Sequence, residues 1–265
     1  MSQIAALFER TRAENRAALV GYLPAGFPSK AASIAAIEAM VEAGVDLVEI
    51  GLPYSDPVMD GPVIQAAAGQ ALTAGTRPAD VLDVVGACVA TGAPTVVMTY
   101  WNPVERYGVD RFAADLAAVG GSGLITPDLT PDEAGEWMDA SAEHSLDRIF
   151  LVAPSSTDER LAMTAEASSG FIYAAAVMGV TGAREQTSTL APELVARTRK
   201  VTDKPIGVGI GVSNRAQARE VAEFADAVIV GSALVRCLLD APDESAGLDA
   251  IRTLARDLRA GVERN

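Results

Sequence analysis

Eight short apolar runs, each followed by a longer stretch with helical periodicity, constrain this 265-residue chain more than any other feature. The runs cover 18–23, 47–50, 95–99, 123–126, 148–153, 171–176, 206–210 and 227–230. A strand, a helix and a further strand in succession make a crossover between parallel neighbours. Eight such units in about 250 residues match an α/β fold of the (β/α)8 TIM barrel type better than an open doubly wound sheet. The open sheet is the structural rival, but its GxGxxG fingerprint is missing after the first run, where the chain reads GYLPAGFP. No linker or low-complexity break interrupts the alternation, so residues 1–265 read as a single barrel domain. An extra N-terminal helix over 4–13 precedes the first strand and is expected to plug the bottom of the barrel.

Helix boundaries are signalled locally. TPDE at 130–133 offers a threonine cap, a proline at the first helical position and a glutamate placed to close a capping box, and STDE at 156–159 repeats the device. Gly44, Gly75 and Gly120 stand where helix C-termini are expected.

In such a barrel the working groups lie at the C-terminal ends of strands and in the loops just after them. The second run ends in an acid, within LVEIGLPYSDPVMDGP at 47–62. Alternation along this strand turns Val48 and Ile50 toward the helices, and Leu47 and Glu49 toward the barrel interior. A carboxyl held among apolar neighbours resists ionisation, so Glu49 is expected to keep a proton it can donate near neutral pH. An ordinary strand-end acid paired with an arginine or open to solvent is the alternative. The following loop is long and stiffened by Pro53 and Pro57, and it carries Asp56 and Asp60. Asp60 stands just before a helix, so both capping and catalysis are open to it.

Two later strand ends are rich in small residues. IGVGIGVS at 206–213, ending in alternate glycines, and AVIVGSALV at 227–235, with Gly231 and Ser232, each run into a helix and offer bare backbone N–H groups. Glycine lets an anion approach the main chain, and the first turn of a helix supplies unpaired donors and a partial positive charge. Close packing of helix on barrel would explain either motif alone; side by side they predict a phosphate site, which this fold places after strands seven and eight. VMGVTGAREQTS at 177–188 reads as a mobile lid or a plain loop.

Composition excludes other chemistries. With 21 Lys+Arg against 35 Asp+Glu and a net charge of −14, the chain has no global basic field to hold nucleic acid. The single histidine, His144, falls before strand five, on the bottom side, so no zinc site or other metal is expected at the top. The lysines Lys30, Lys200 and Lys204 lie away from strand C-termini and offer no Schiff-base amine. Cys88 and Cys237 read as buried, reduced core thiols, and the N-terminus lacks a signal-peptide pattern, which points to a cytoplasmic chain without a membrane span. Carboxylates remain for proton chemistry, aided by Tyr22, Tyr100 and Tyr173 at strands one, three and six, where packing is the other explanation.

The segment LVEIGLPYSDPVMDGPVIQAA closely resembles the signature of the tryptophan synthase alpha subunit family, E-φ-G-x-P-[FY]-S-D-P-x-x-D-G-P. The likeness extends over essentially the whole chain through MGVTGAR, GVGIGVS and IVGSALV. It implies a (β/α)8 barrel that cleaves indole-3-glycerol phosphate to indole and glyceraldehyde 3-phosphate, without metal or organic cofactor in this chain. By this resemblance Glu49 is the general acid–base and Asp60 holds the indole N–H. Tyr22, Met98, Tyr100 and Tyr173 line the indole pocket, and Thr181 closes over Asp60. Backbone N–H groups of Gly182, Gly211, Gly231 and Ser232 bind the phosphate. The family docks on a pyridoxal-phosphate beta subunit in an α2β2 complex and passes indole to it, through a contact expected around 53–57, 102–107 and 128–131. Met59 stands where many members have a small residue, and AAAVM before Gly179 lacks a serine and an arginine that some carry. Another phosphosugar barrel is the rival enzyme, though a synthase making this substrate would show lysines at strand ends. A regulatory subunit that mainly activates its beta partner is the reading from a different class.

Overall fold

The computed structural model describes residues 1–176, 190–209 and 211–264. Eight parallel strands close on themselves in sequence order: β1 (Ala18–Pro24), β2 (Leu47–Gly51), β3 (Thr95–Met98), β4 (Gly123–Thr126), β5 (Asp147–Val152), β6 (Ile172–Ala175), β7 (Ile206–Gly209) and β8 (Ala227–Val230). Each expected strand is present with ends within one residue, except that Ile210, the expected end of β7, lies outside the described residues.

The helices in chain order are α1 (Gln3–Ala13), α2 (Lys30–Glu42), α3 (Pro62–Thr73), α4 (Pro78–Val89), α5 (Trp101–Tyr107), α6 (Val109–Ala118), α7 (Gly135–Glu143), α8 (Asp158–Ala167), α9 (Leu190–Arg199), α10 (Arg215–Ala222), α11 (Ser232–Leu239) and α12 (Glu244–Gly261). Several helices start on an oxygen side chain: Ser29, Asn214 and Asp243 each accept an N–H from the first turn. Gly44, Gly75 and Gly120 follow the last helical residues at φ +106°, +87° and +86°, the left-handed conformation that terminates a helix at little cost only with glycine.

Two expected helix starts are corrected. Pro131–Glu133 forms a 3-10 turn, the Thr130 hydroxyl donates to Glu133 instead of capping, and the α-helix begins at Gly135. In the second, Thr157 is the cap, accepting Arg160 N–H, while Ser156 accepts Ala153 N–H within the preceding turn. A capping box needs glutamate three residues after the cap, and one residue of shift puts Arg160 there.

Strands buried on both faces must be apolar almost throughout, which explains the unbroken runs. Alternate residues divide them between two cores. Val48, Ile50, Val97, Leu124, Val208 and Val228 pack outward against the helices. Val20, Leu47, Val96, Ile125, Ile149 and Phe171 point inward, where Ile4, Leu7 and Phe8 of α1 fill the floor, with the Phe8 and Phe171 rings 5.8 Å apart. The floor is also pinned by charge. Arg16, 5% exposed, reaches Asp46 through two hydrogen bonds of 2.6 and 2.8 Å, and Asp46 also accepts Leu19 N–H at 2.9 Å.

Both cysteines are free, and Cys88 is buried as expected, its thiol pushed up to about 11 by burial; Cys237, also expected in the core, is only half-buried. Among the described residues no helix is long and apolar enough to cross a membrane.

Candidate active site

The C-terminal ends of the strands surround a cavity of about 490 Å³. Tyr22, Glu49, Met98, Leu151, Tyr173, Gly209 and Ile229 supply its strand-borne wall; Met59, Asp60 and Ile64 come from the loop after β2 and the first turn of α3. Register sets the neighbours: Glu49 pairs with Tyr22 on β1 and Val96 on β3, and Tyr173 pairs with Leu151 on β5.

Glu49 is 1% exposed, and its Oε2 has no hydrogen-bond partner among the described residues. Burial, with the nearby negative charge of Asp60 adding to it, pushes the carboxyl up from 4.5 to about 8. The acid therefore carries its proton at neutral pH. The arginine-paired alternative does not hold, because every ion pair found among the described residues lies elsewhere.

Asp60 is not the helix cap. Gly61 occupies that position with Pro62 at the first helical residue, and Gln65 ties down the Asp60 carbonyl with a 2.7 Å hydrogen bond. The Asp60 carboxyl is thus left at the cavity, half-buried; burial raises it, and the polar hydroxyl of Tyr100 works against that rise. Asp56, the other acid of the loop, points to solvent and bonds Ser55 at 2.5 Å.

Two glycines make room for two phenols. A β-carbon on Gly51 would overlap the Tyr22 ring, and one on Gly209 would overlap the Tyr173 ring. Both phenols are pushed well above their usual range by burial and by the carboxyl groups of Glu49 and Asp60, so they stay neutral donors.

Tyr100 is buried beside the Asp60 loop, with its hydroxyl accepting Met59 N–H at 2.9 Å and its ring 5.1 Å from that of Tyr54.

On the far side, Gly211, Gly231 and Ser232 line the same cavity. Gly211 is in the left-handed region at φ +79° with open space beside it, and Gly231 precedes α11, whose start carries no side-chain cap and whose Leu234 N–H bonds back to the Gly231 carbonyl at 2.9 Å. Ser213, by contrast, spends its N–H on the Gln217 side chain at 2.8 Å. Thr181, Gly182 and the expected lid over 177–188 lie outside the described residues.

Sequence reasoning missed Ile64, Leu151 and Ile229. The inward alternation on β5 and β8 carried the signal for Leu151 and Ile229, while Ile64 depends on how α3 leans over the barrel mouth. The excluded groups sit where expected. His144 follows α7 on the bottom side, 3.0 Å from Asp110, and with Glu143 these form an exposed surface cluster. Lys30 is paired with Asp80 and Asp83, and Lys204 donates to the carbonyls of Ala165, Glu166 and Ser168.

Three top loops are tied into one rim. The rings of Tyr54 and Tyr100 lie 5.1 Å apart, tilted by 32°, and the Asp128 carboxylate accepts Trp101 N–H at 2.9 Å. Val58 and Met59 stand exposed on this rim.

Residues 8–263 match the family model described as Tryptophan synthase alpha chain. The chain is 65% identical to the tryptophan synthase alpha chain of Salinispora arenicola over 262 residues, which cover 99% of this chain and 98% of that one. It is 62% identical to that of Acidothermus cellulolyticus over 264 residues, covering 100% and 98%. Among solved structures it resembles Mycobacterium tuberculosis tryptophan synthase with a TM-score of 0.93 at 59% identity, covering 100% of this chain and 99% of that one. The tryptophan synthase subunit alpha of Legionella pneumophila is similar with a TM-score of 0.88 at 32% identity, covering 99% and 98%.

Proposed function

The chain belongs to the tryptophan synthase alpha chain family, a lyase of tryptophan biosynthesis that cleaves indole-3-glycerol phosphate to indole and glyceraldehyde 3-phosphate, and on that premise we propose which of its residues carry the reaction. Glu49 donates its proton to indole C3, which leaves positive charge on the ring. The Asp60 carboxylate, hydrogen-bonded to the ring N–H, stabilises that charge. The Glu49 carboxylate then takes the proton of the carbinol hydroxyl next to C3. As the carbonyl forms, the C3–carbon bond breaks and its electrons restore the indole ring, so the acid ends each cycle protonated.

Tyr22, Met98 and Tyr173 hold the indole. The amides at Gly211, Gly231 and Ser232, with the Ser232 hydroxyl, hold the phosphate at the other end of the cavity. No step of this scheme needs a cofactor in this chain. The rim made by the loops after β2, β3 and β4 is the face on which a pyridoxal-phosphate beta subunit would dock in an α2β2 complex and receive indole. A cytoplasmic setting fits that partnership.

The observation that carries this reading is a fully buried acid with a raised pKa and an unpartnered oxygen, opening into the same cavity as the amide cradle. Indole release by purified chain tests it, alone and with a beta subunit added. Glu49→Gln should lose nearly all cleavage while still binding substrate, because ring and phosphate contacts survive. Asp60→Asn should lose most of it. Normal turnover by either variant would remove that residue from the mechanism, and absence of turnover without the partner would favour a regulatory role.

A further inference from the structure

Tyr22 lays its ring along the cavity wall between the acid and the amide cradle. On β1 it pairs with Glu49 of β2. At one end, a β-carbon built on Gly231 would sit 3.5 Å from Tyr22 Cδ1 and 3.6 Å from its Cβ, so the root of the side chain stands beside the cradle. At the other end, a β-carbon on Gly51 would overlap the Tyr22 hydroxyl. Gly51 shares the inward face of β2 with Glu49, because Val48 and Ile50 point out to the helices. The hydroxyl therefore stands inside the barrel, one step nearer the mouth than the acid. Tyr22 is 8% exposed and lines the cavity, yet no hydrogen bond reaches its hydroxyl from the described residues. A phenol so deeply buried is costly to the folded chain unless a ligand satisfies it.

We propose that the Tyr22 hydroxyl is a specificity-determining group of the site, which hydrogen-bonds a hydroxyl of the three-carbon chain joining the indole ring of the substrate to its phosphate. This rests on the reading of the cavity given above and deepens it: the Tyr22 ring packs on the indole, and its oxygen reads the chain. With phosphate at the Gly231 end and the reacting carbon at Glu49, the chain between them has to run alongside the Tyr22 ring. Its hydroxyls are the groups there that can pair with a phenol, since the indole N–H belongs to Asp60. Packing does not call for the oxygen, because phenylalanine would offer the same ring. A site that holds a buried donor for a substrate hydroxyl rejects a ligand lacking it, because the donor is then left unpaired.

Binding is read by calorimetry in the Glu49→Gln chain with two probes. One is indole-3-glycerol phosphate; the other is 3-(indol-3-yl)propyl phosphate, which has the same ring, chain length and phosphate without the hydroxyls. Adding Tyr22→Phe should weaken the first about fivefold, the loss of one neutral hydrogen bond, and leave the second within about twofold. Equal loss for both probes would assign the oxygen to ring packing and overturn the proposal, as would no loss for either. Thermal unfolding gives an independent measure. Tyr22→Phe in the otherwise unaltered chain should have a Tm equal to or above that of wild type, because the oxygen has no protein partner to lose. A fall of several degrees would show that the hydroxyl is satisfied within the chain and would refute its role toward substrate. Failure of Glu49→Gln to bind either probe would instead remove the reading of the cavity, and the proposal with it.

Discussion

Replacing Glu49 by glutamine removes a proton that the folded chain keeps and the unfolded chain gives up. In the unfolded chain the carboxyl titrates near its ordinary value of 4.5; in the folded chain burial and the Asp60 charge hold it at about 8. Between those values folding requires proton uptake. Stability from this group is therefore greatest below pH 4.5, declines as pH rises, and levels off above about 8. The separation corresponds to about 5 kcal/mol at high pH. Glutamine has nearly the same shape and no charge, so Glu49→Gln has no such slope. The difference in stability between variant and wild type should grow in the variant's favour by roughly 4 kcal/mol from pH 5 to pH 8.5, equivalent to about 10 °C in Tm for a chain of this size. Thermal unfolding of both proteins at pH 5, 6, 7 and 8.5 and constant ionic strength measures it, because groups away from the cavity titrate alike in the two. A Tm difference that stays constant across this range would mean that Glu49 ionises normally when folded, and the argument for a stored proton would fail.

Three further outcomes follow from the geometry. Gly51→Ala places a β-carbon against the Tyr22 ring and should cost about 1–3 kcal/mol together with most of the cleavage activity, read from urea midpoints and indole release. Gly211→Ala has space around it but a φ of +79°, so it should lose about 1–2 kcal/mol and raise KM several-fold with kcat largely kept; an unchanged KM would take Gly211 out of the phosphate cradle. Asp46→Asn breaks the buried pair with Arg16 at the barrel floor and should destabilise by about 3 kcal/mol while leaving kcat intact, which denaturant unfolding and steady-state kinetics would show.

How far the site could be read from sequence depends on whether a signal was local. Glu49 was legible because an acid interrupts a strand that otherwise has to be apolar on both faces, and β2 indeed turns it inward with Leu47. Gly231 and Ser232 were legible because small residues precede a helix. The role of Asp60 was ambiguous by one residue: sequence offered capping, and only the position of Gly61 as the cap freed the carboxyl for the cavity. From its strand-end position Tyr100 was open to proton chemistry or packing, and its contacts with Tyr54 and Met59 depend on the packing of a loop 41 residues away from it in sequence. The same limit produced the misplaced starts near Thr130 and Ser156, where hydroxyls had competing local acceptors or donors.

By itself the sequence determined the barrel and the inward acid, because strand and helix periods, glycine stops and the apolar demand of doubly buried strands are properties of neighbouring residues. Tertiary structure decided the chemistry of that acid. Closing β1 against β8 gathers Tyr22, Glu49, Asp60, Tyr173 and the Gly211–Ser232 amides around one cavity, and proton affinity is set by burial and by charges brought close in space, which no stretch of chain encodes alone.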